Sequence, residues 1–188
     1  MDTSDKEAPE VLASEDVYRG RIFTITVDTV REGEREYQRE VVRHPGSAAI
    51  VALHDDQTVS LVRQYRHPSV KYLLEIPAGT RDNFEQPEEC AARELEEELG
   101  VVAGQWEKLS EFFVSPGFCG EKMWVYLATD LTETKPNPED DENLEIVRLP
   151  LARALEMIEA GEIEDAKTII GLTLAASRIS FQRDGIEI

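Results

Sequence analysis

Short runs of β-branched and other apolar residues, several with alternating polar positions, recur along the first two thirds of the chain. The runs 22–30 and 37–42 flank a charged turn that contains Gly33, and they predict an N-terminal hairpin or small antiparallel sheet. Further strands are predicted over 48–53, 58–65, 72–76, 106–114, 122–128 and 144–149, with an acidic loop over 132–143.

Helical periodicity is confined to one central segment and two segments near the C-terminus. The first helix is predicted over about 87–99, and the other two over 151–160 and 165–179. Because strands come first, one helix follows and two helices close the chain, the pattern predicts a mixed α/β domain built in layers.

The length of 188 residues predicts one compact domain, since domains commonly hold roughly 100–200 residues. Residues 1–15 are small, charged and polar and are expected to form a disordered tail. The small sheet is then expected in 16–45 and the main domain in 46–188. A hydrophobic fraction of 41% is enough for a core and excludes a disordered acidic chain.

Charge and cysteine content narrow the classes of partner. The net charge of −19 argues against nucleic acid and anionic membranes, because the sequence supplies no basic surface for them. The sequence contains no run of about 18 apolar residues, and its N-terminus lacks the pattern of a signal peptide. With only Cys90 and Cys119, it does not read as a secreted disulfide scaffold, and we expect a cytoplasmic protein.

The helix predicted at 87–99 carries three glutamates close to its apolar stripe. That stripe consists of Ala91, Ala92, Leu95 and Leu99. On the same helix, Glu98 and Glu97 lie about 40° and 60° to either side of Glu94. Like charges at these spacings repel by roughly 0.2–0.5 kcal/mol per pair, and Arg93 alone does not neutralise them. Because Mg²⁺ prefers oxygen ligands, the pattern indicates either a cation site or a solvated acidic face.

The segment 79–101 also fits a longer pattern, G-x5-E-x7-R-E-U-x-E-E-x-G-U, in which U is aliphatic. Its nine fixed places are filled by Gly79, Glu85, Arg93, Glu94, Leu95, Glu97, Glu98, Gly100 and Val101. This is the motif of the Nudix hydrolases, and the chain resembles that family at every fixed place. Nine agreements within 23 residues make chance a poor explanation.

The resemblance implies an α/β/α sandwich with a mixed sheet, beside the small N-terminal antiparallel sheet. It also implies a loop–helix–loop that holds catalytic Mg²⁺, or Mn²⁺ as a substitute, against a substrate diphosphate. The implied metal ligands are Glu94, Glu98, Glu97 and the Ala78 carbonyl. Arg93 is implied to hold the acidic side chains, Glu85 to be a structural acid, and Gly79 to permit the loop geometry.

The flanks of the motif resemble the ADP-ribose pyrophosphatase group of that family. The residues that carry this resemblance are 63–66, 74–79, Ser115-Pro116-Gly117-Phe118 with Glu121, 161–163 and 165–168. It implies hydrolysis of ADP-ribose to AMP and ribose 5-phosphate. Two alternatives stay open, namely another nucleotide sugar such as GDP-mannose or ADP-glucose, and a non-catalytic nucleotide-binding module.

The same resemblance assigns substrate contacts. Arg66 is implied to contact the diphosphate, and Phe23 and Arg39 to sandwich the adenine ring, with Glu40 bonding its amino group. An aromatic face and a guanidinium plane suit a purine, although Phe23 also fits an ordinary sheet position. Ser115 and Glu121 are implied to lie near the terminal ribose. Members of the group are commonly homodimers whose N-terminal strands reach the partner's site.

The acidic segment 136–143 is implied to supply the residue that deprotonates the attacking water. Glu142 aligns best with that position. The match is imperfect, because Leu144 stands where some relatives have a second acid. Glu139 or Asp141 therefore stays an alternative, and so does a merely solvated loop.

Overall fold

In this computed structural model, the structure describes residues 7–82, 84–135 and 144–183, with side chains described up to residue 180. The described strands are β1 (Glu10–Arg19), β2 (Thr24–Glu32), β3 (Arg35–Arg43), β4 (Ser47–Leu53), β5 (Thr58–Arg66), β6 (Lys71–Glu75), β7 (Ala78–Thr80), β8 (Val101–Phe113), β9 (Lys122–Glu133) and β10 (Glu145–Pro150). The helices are α1 (Pro87–Leu99), α2 (Leu151–Glu159) and α3 (Ala166–Arg183), and a 3-10 turn spans His67–Ser69.

The chain forms two compact units, and the first joins the N-terminal part, up to Gly46, to Phe113–Lys122. Its strands form an antiparallel sheet in the order β1-β2-β3, as the small sheet predicted at this end requires. The attachment of Phe113–Lys122 was not predicted. It follows from backbone bonds at the end of β3, where Val42 N–H donates to the Phe118 carbonyl and Gly120 N–H to the Val42 carbonyl.

The prediction of a disordered tail over 1–15 is wrong for residues 10–15. These residues belong to β1, in which Glu10 pairs with Arg31 and Val11 with Val30. All ten residues of β1 are exposed, so the strand has no buried face. Its sequence therefore lacks the alternation by which a half-buried strand is recognised, and backbone pairing alone identifies it.

The second unit holds a mixed seven-stranded sheet in the order β10-β5-β4-β9-β8, with β6 paired to β5 and β7 to β4. The central strand β4 is parallel to β9 and antiparallel to β5 and β7. Every residue of β4 is buried, as its continuous apolar sequence predicts for a strand covered on both faces.

Alternate residues of β4 enter two separate cores. Ala49, Val51 and Leu53 pack in a cluster with Leu151 of α2 and Leu172 of α3. On the opposite face, Ala48, Ile50 and Ala52 share a cluster with apolar side chains of α1, namely Ala91, Leu95 and Leu99. Helices therefore cover both faces of the sheet, and the predicted α/β/α sandwich with a mixed sheet is confirmed.

The boundaries show smaller differences from the sequence prediction. The short strand β7 was not predicted, and β9 extends to Glu133 into the predicted acidic loop. Ala92 is exposed and does not belong to the apolar stripe of α1, because it follows Ala91 by about 100° around the helix.

None of the described helices has both the length and the apolarity needed to cross a membrane.

Candidate active site

The helix α1 has defined signals at both ends, and its observed bounds confirm the predicted helix over 87–99. Pro87 is the first helical residue, and Gln86 before it forms a capping box with Glu89. At the other end Gly100 adopts φ 64°, and its N–H donates to the Glu96 carbonyl. Both ends are fixed locally, so the register of the acidic side chains on the helix is fixed as well.

Two of the three glutamates on this helix are buried. Glu94 is 7% exposed and Glu98 3% exposed, whereas the side chain of Glu97 is about one third exposed. The Oε2 atom of Glu98 is buried and accepts no hydrogen bond, although the residue makes other interactions. Removing carboxylates from water is costly unless positive charge compensates for it. The acidic face of α1 is therefore not a solvated surface.

Arg93 binds three of the acidic side chains. Its Nε donates to Glu85 Oε1 at 2.9 Å, and its Nη1 donates to Glu94 Oε1 at 2.7 Å and Glu97 Oε2 at 2.9 Å. Its Nη2 donates to Glu85 Oε2 at 3.1 Å and to the Thr80 carbonyl at 3.3 Å. The bond to Glu85, followed by the charge of Glu94, raises the pKa of Arg93 against the effect of burial. The bond from Arg93 also lowers the pKa of Glu85.

Position 79, in the strand β7 that precedes this helix, requires a glycine. A Cβ on Gly79 would lie 1.7 Å from Glu94 Oε1 and 1.9 Å from Glu94 Cδ. The strand β7 pairs Gly79 with Ala48 and Ala78 with Ala49 of β4. Because Gly79 has no side chain, the backbone of β7 lies directly against the Glu94 carboxylate at this position, which follows Ala78.

Cys90 lies in the same loop–helix segment. Its thiol is 3.6 Å from the Gly79 carbonyl and 3.6 Å from Arg93 Nη2. Burial, followed by the charges of Glu85 and Glu94, raises the pKa of Cys90 to about 12. The thiol is therefore protonated at neutral pH and is a poor nucleophile.

The charges around α1 fit a hard divalent cation. Three carboxylates, those of Glu85, Glu94 and Glu97, share the guanidinium of Arg93, and the charge of Glu98 on the same helix acts on Arg66. Within 7–82, 84–135 and 144–183, no group of three His, Cys, Asp or Glu side chains forms a ready-made metal centre. Mg²⁺ does not need one, because it is commonly held by one or two carboxylates with water and substrate phosphate. The buried pair Glu94 and Glu98 meets that requirement.

Arg66 lies at the end of β5 and is bound by a buried acid. Its Nε and Nη2 each donate at 2.8 Å to the two oxygens of Glu75, which is 1% exposed. This bond, followed by the charges of Glu75, Glu98 and Asp165, raises the pKa of Arg66 against the effect of burial. Arg66 therefore lies within the electrostatic field of Glu98 on α1.

Four residues near Arg66 were not predicted as site residues, namely Glu75, Asp165, Lys167 and Thr168. Lys167 pairs with Glu75 and, at 3.1 Å, with Asp165, and the Thr168 hydroxyl accepts from the Ile76 N–H at 2.8 Å. The segments 74–79 and 165–168 were noticed only as flanks that resemble a family. Nothing in the sequence alone shows that residues 92 positions apart meet.

The residues predicted to bind adenine lie in the first unit. Phe23 comes one residue before β2 and is 37% exposed, with its ring 5.9 Å from that of Tyr18. Arg39 lies over the Tyr37 ring at 4.2 Å. In the register, Thr24 faces Arg43, so Phe23 and Arg39 are separated along the sheet by about 15 Å. The predicted sandwich is therefore not formed by Phe23 and Arg39 of one chain.

Glu40, Ser115 and Glu121 lie in the first unit as well. Glu40 is exposed on β3 opposite Val27. The Ser115 carbonyl accepts from the N–H groups of Phe118 and Cys119, which makes the tight turn that contains Pro116. The Glu121 carboxylate lies 4.0 Å from His44 Nδ1. Glu142, with its alternatives Glu139 and Asp141, lies outside the described residues.

Comparison with known proteins adds four named relatives. This chain is 37% identical to an ADP-ribose pyrophosphatase of Bacillus subtilis, over 85% of its length and 88% of the relative's. It is 40% identical to an ADP-ribose pyrophosphatase of Mycobacterium tuberculosis, over 87% of its own length and 81% of the relative's. A methanol dehydrogenase activator of Bacillus methanolicus is 37% identical, over 87% and 90%. A GDP-mannose pyrophosphatase of Escherichia coli O1:K1 is 34% identical, over 79% and 84%.

A solved structure and a family model agree with these matches. The crystal structure of an ADP compounds hydrolase matches with a TM-score of 0.81 and 26% identity, covering 97% of this chain and 99% of that one. The model of the NUDIX domain matches residues 43–170, which include the whole of α1 and the strands around it. The buried carboxylates of α1 thus lie inside the matched region, and the chain belongs to the Nudix family.

Proposed function

We propose that this protein hydrolyses the diphosphate of ADP-ribose to AMP and ribose 5-phosphate in a reaction that needs Mg²⁺, which Mn²⁺ can replace. The observation that carries the proposal is the burial of Glu94 and Glu98 on one face of α1, with negative charge in excess around them. A cluster of this kind attracts a dication, and a dication in turn attracts a diphosphate to a protein whose net charge is −19. The named relatives and the matched solved structure support the substrate class.

Glu94 and Glu98 would hold the metal, with Glu97 and the Ala78 carbonyl completing its shell. When bound, the metal would supply neutralisation of phosphate charge and a lowered pKa for a coordinated water. Arg93 keeps the Glu94 and Glu97 carboxylates in place through its hydrogen bonds, and Glu85 orients Arg93. Gly79 keeps the backbone clear of Glu94.

Two further side chains would act on the substrate. Arg66 would present its guanidinium to the diphosphate, because its bidentate bond to Glu75 through Nε and Nη2 fixes the orientation of the group. Glu142 would accept the proton of the attacking water, and this assignment rests on the sequence resemblance. Water attacks one phosphorus, the bond from that phosphorus to the bridging oxygen breaks, and the other phosphate leaves with the bridging oxygen, which gives AMP and ribose 5-phosphate.

Five further side chains would bind the adenosine and ribose ends of the substrate. Phe23 and Arg39 would stack on adenine, Glu40 would accept from its amino group, and Ser115 and Glu121 would contact the terminal ribose. Because Phe23 and Arg39 of one chain are separated along the sheet, two chains would have to supply them, which supports a homodimer. The exposed apolar side chains of β1 suit such an interface: Val11, Val17 and Tyr18 are each more than half exposed. Since both cysteines are free thiols, we place the protein in the cytoplasm.

A second candidate function is hydrolysis of another nucleotide sugar by the same residues. The observation that favours it is the relative named GDP-mannose pyrophosphatase. The metal-binding acids and Arg66 would be unchanged, because both substrates contain a diphosphate. Only the base contacts in the first unit would differ.

The test is product analysis in ¹⁸O-labelled water with Mg²⁺ and ADP-ribose, GDP-mannose or ADP-glucose in parallel. We expect AMP and ribose 5-phosphate from ADP-ribose as the fastest reaction, with ¹⁸O in one product only. Glu98→Gln should lower the rate by roughly 100-fold or more, because it removes a buried metal ligand. Glu96→Gln, on the exposed face of the same helix, is the matched control and should retain full activity.

Glu142→Gln is measured in the same assay and should lower the rate by roughly 100-fold, as expected for loss of a general base. Faster hydrolysis of GDP-mannose would favour the second candidate function. Binding of ADP-ribose without any product from the wild-type protein would instead show a nucleotide-binding module and overturn the proposal.

A further inference from the structure

A second charged cluster lies where α3 begins, and the proposed reaction does not account for its inner members. The buried carboxylate of Glu75 receives the guanidinium of Arg66 on one side and the ammonium of Lys167 on the other. Lys167 also lies 3.1 Å from Asp165. The side chain of Lys167 is only 12% exposed and that of Arg66 is 40% exposed. Glu75, at 1% exposure, is therefore the innermost of the three side chains, Lys167 comes next, and Arg66 is the outermost.

The backbone fixes this cluster in register. The Thr168 hydroxyl donates to Asp165 Oδ2 at 2.6 Å and accepts from the Ile76 N–H at 2.8 Å, and Thr168 is completely buried. The Thr168 N–H also donates to Asp165 Oδ2 at 3.0 Å, which caps the first turn of α3. Because Ile76 follows Glu75 directly, the bond between Ile76 and Thr168 holds Lys167 beside the Glu75 carboxylate.

The charges of the cluster explain why a lysine is needed there. Glu75 and Asp165 are both negative, and the charges of both act on Arg66. Without Lys167, the carboxylates of Glu75 and Asp165 would compete for the guanidinium of Arg66, which could then adopt two orientations. Lys167 pairs with Asp165 and also shares the Glu75 Oε2 atom with Arg66. It therefore neutralises Asp165 and holds the Glu75 carboxylate, whose two oxygens align the planar fork of Arg66.

We propose that Lys167 is a positioning residue for Arg66, acting through Glu75, so that a residue of α3 sets the orientation of the guanidinium that binds the diphosphate. The proposal rests on the proposed function in one respect, namely that Arg66 contacts the diphosphate. It accounts for the placement of Asp165, Lys167 and Thr168, which otherwise lie outside the proposed chemistry.

The test is a double-mutant cycle of Lys167→Met and Arg66→Met. Lys167→Met alone should raise the KM for ADP-ribose about 10-fold with kcat changed less than 2-fold, because a misaligned arginine weakens diphosphate binding. In the Arg66→Met background, Lys167→Met should have no further effect on KM. An equal rise of KM in both backgrounds, or no rise in either, would overturn the proposal.

Two controls separate positioning from stability. Lys71 lies on the neighbouring strand β6 and forms an exposed ion pair with Glu164. Lys71→Met removes that ion pair and should leave KM unchanged. Lys167→Gln loses the charge but keeps a polar tip for Asp165, and it should raise KM as Lys167→Met does. If Lys167→Met does not fold, Lys167→Gln takes its place in the cycle.

A binding readout distinguishes failure of this proposal from failure of the proposed function. Calorimetry with Mg²⁺ and inorganic pyrophosphate should give a Kd about 10-fold weaker for Lys167→Met than for wild type, and no further weakening in the Arg66→Met background. If wild type hydrolyses none of the nucleotide sugars yet this coupling is found, the proposed function fails and the positioning role stands. If wild type is active and the coupling is absent, the positioning role fails alone.

Discussion

The second unit contains two clusters of buried charge that are built in opposite ways. Around α1, three carboxylates bind Arg93, so the acids outnumber the guanidinium that they share. At the start of α3, the carboxylates of Glu75 and Asp165 face the cations of Arg66 and Lys167, and the charges balance. Both clusters lie beside the same sheet, so burial alone does not explain the difference.

This difference in charge balance indicates which of the two clusters is suited to bind a ligand. Excess buried charge lowers stability until a counter-ion arrives, so the α1 cluster is stabilised by binding a cation. A balanced cluster gains nothing from an added ion, and its hydrogen bonds instead fix the direction of its side chains. The first arrangement suits binding, and the second suits orientation. Four substitutions would test this distinction.

The largest effect is expected from Gly79→Ala, which acts on the α1 cluster alone. The new Cβ would overlap the Glu94 carboxylate, and since that group is the end of a flexible side chain, the carboxylate would move and the fold would survive. Displacing a metal ligand by this much should lower the rate of ADP-ribose hydrolysis by on the order of 100-fold. Steady-state rates and thermal unfolding should be measured together. Unchanged activity would show that the position of Glu94 is unimportant.

An intermediate effect is expected from removing the cation of each cluster. Without Mg²⁺, Arg93→Met should lower the free energy of unfolding by roughly 2 kcal/mol, because three acids lose their partner. Millimolar Mg²⁺ should recover part of this loss, since a dication can replace the lost positive charge. The measurement is urea unfolding with and without Mg²⁺.

Arg66→Met is the matched comparison in the balanced cluster. It should also lower the free energy of unfolding, but Mg²⁺ should not recover the loss, because Lys167 stays beside Glu75. Equal recovery in both variants would mean that the two clusters do not differ as described.

The smallest effect is expected in the pH dependence of the balanced cluster. Burial would raise the pKa of Glu75, but the bond from Arg66 and the charge of Lys167 outweigh burial, so the pKa is lowered in the folded protein. A carboxyl whose folded pKa lies below its unfolded value of about 4.3 stabilises the fold above that value. This contribution is lost as the pH falls through the folded pKa.

Glu75→Gln should therefore lower the free energy of unfolding by about 1–2 kcal/mol at pH 7, and the gap to wild type should narrow as the pH falls below the unfolded pKa of about 4.3. Urea unfolding at several pH values measures it. Glu164→Gln, in an exposed ion pair with Lys71, should change the free energy by less than about 1 kcal/mol at any pH. A gap that stays constant with pH would contradict the assignment of a lowered pKa to Glu75.

Features determined by local sequence were predicted well. The bounds of α1 follow from Pro87 and Gly100, and the strand predicted over 48–53 lies within β4. The acidic positions on α1 follow from helical geometry, which places Glu94 and Glu98 on one face. In each case, neighbours within a few residues decide the structure.

Features determined by contacts between distant residues were not predicted. The strand β1 was missed because it is exposed throughout, and β7 because three residues are too few for a pattern. The cluster of Glu75 and Lys167 depends on a meeting of residues 92 positions apart. The sequence could propose a role for Arg66, but only the structure shows what holds it.

The parallel pairing of β4 with β9 also bears on how this chain is made. Ser47 pairs with Met123, and β9 ends only at Glu133, so the innermost strand leaves the ribosome long before its neighbour exists. β5 and β7 follow β4 closely, but until β9 is made the other edge of this apolar strand is open, and that contact closes slowly because the intervening chain is long. Lower temperature during expression, which weakens hydrophobic association of the exposed strand, should therefore favour recovery of the native protein over aggregates.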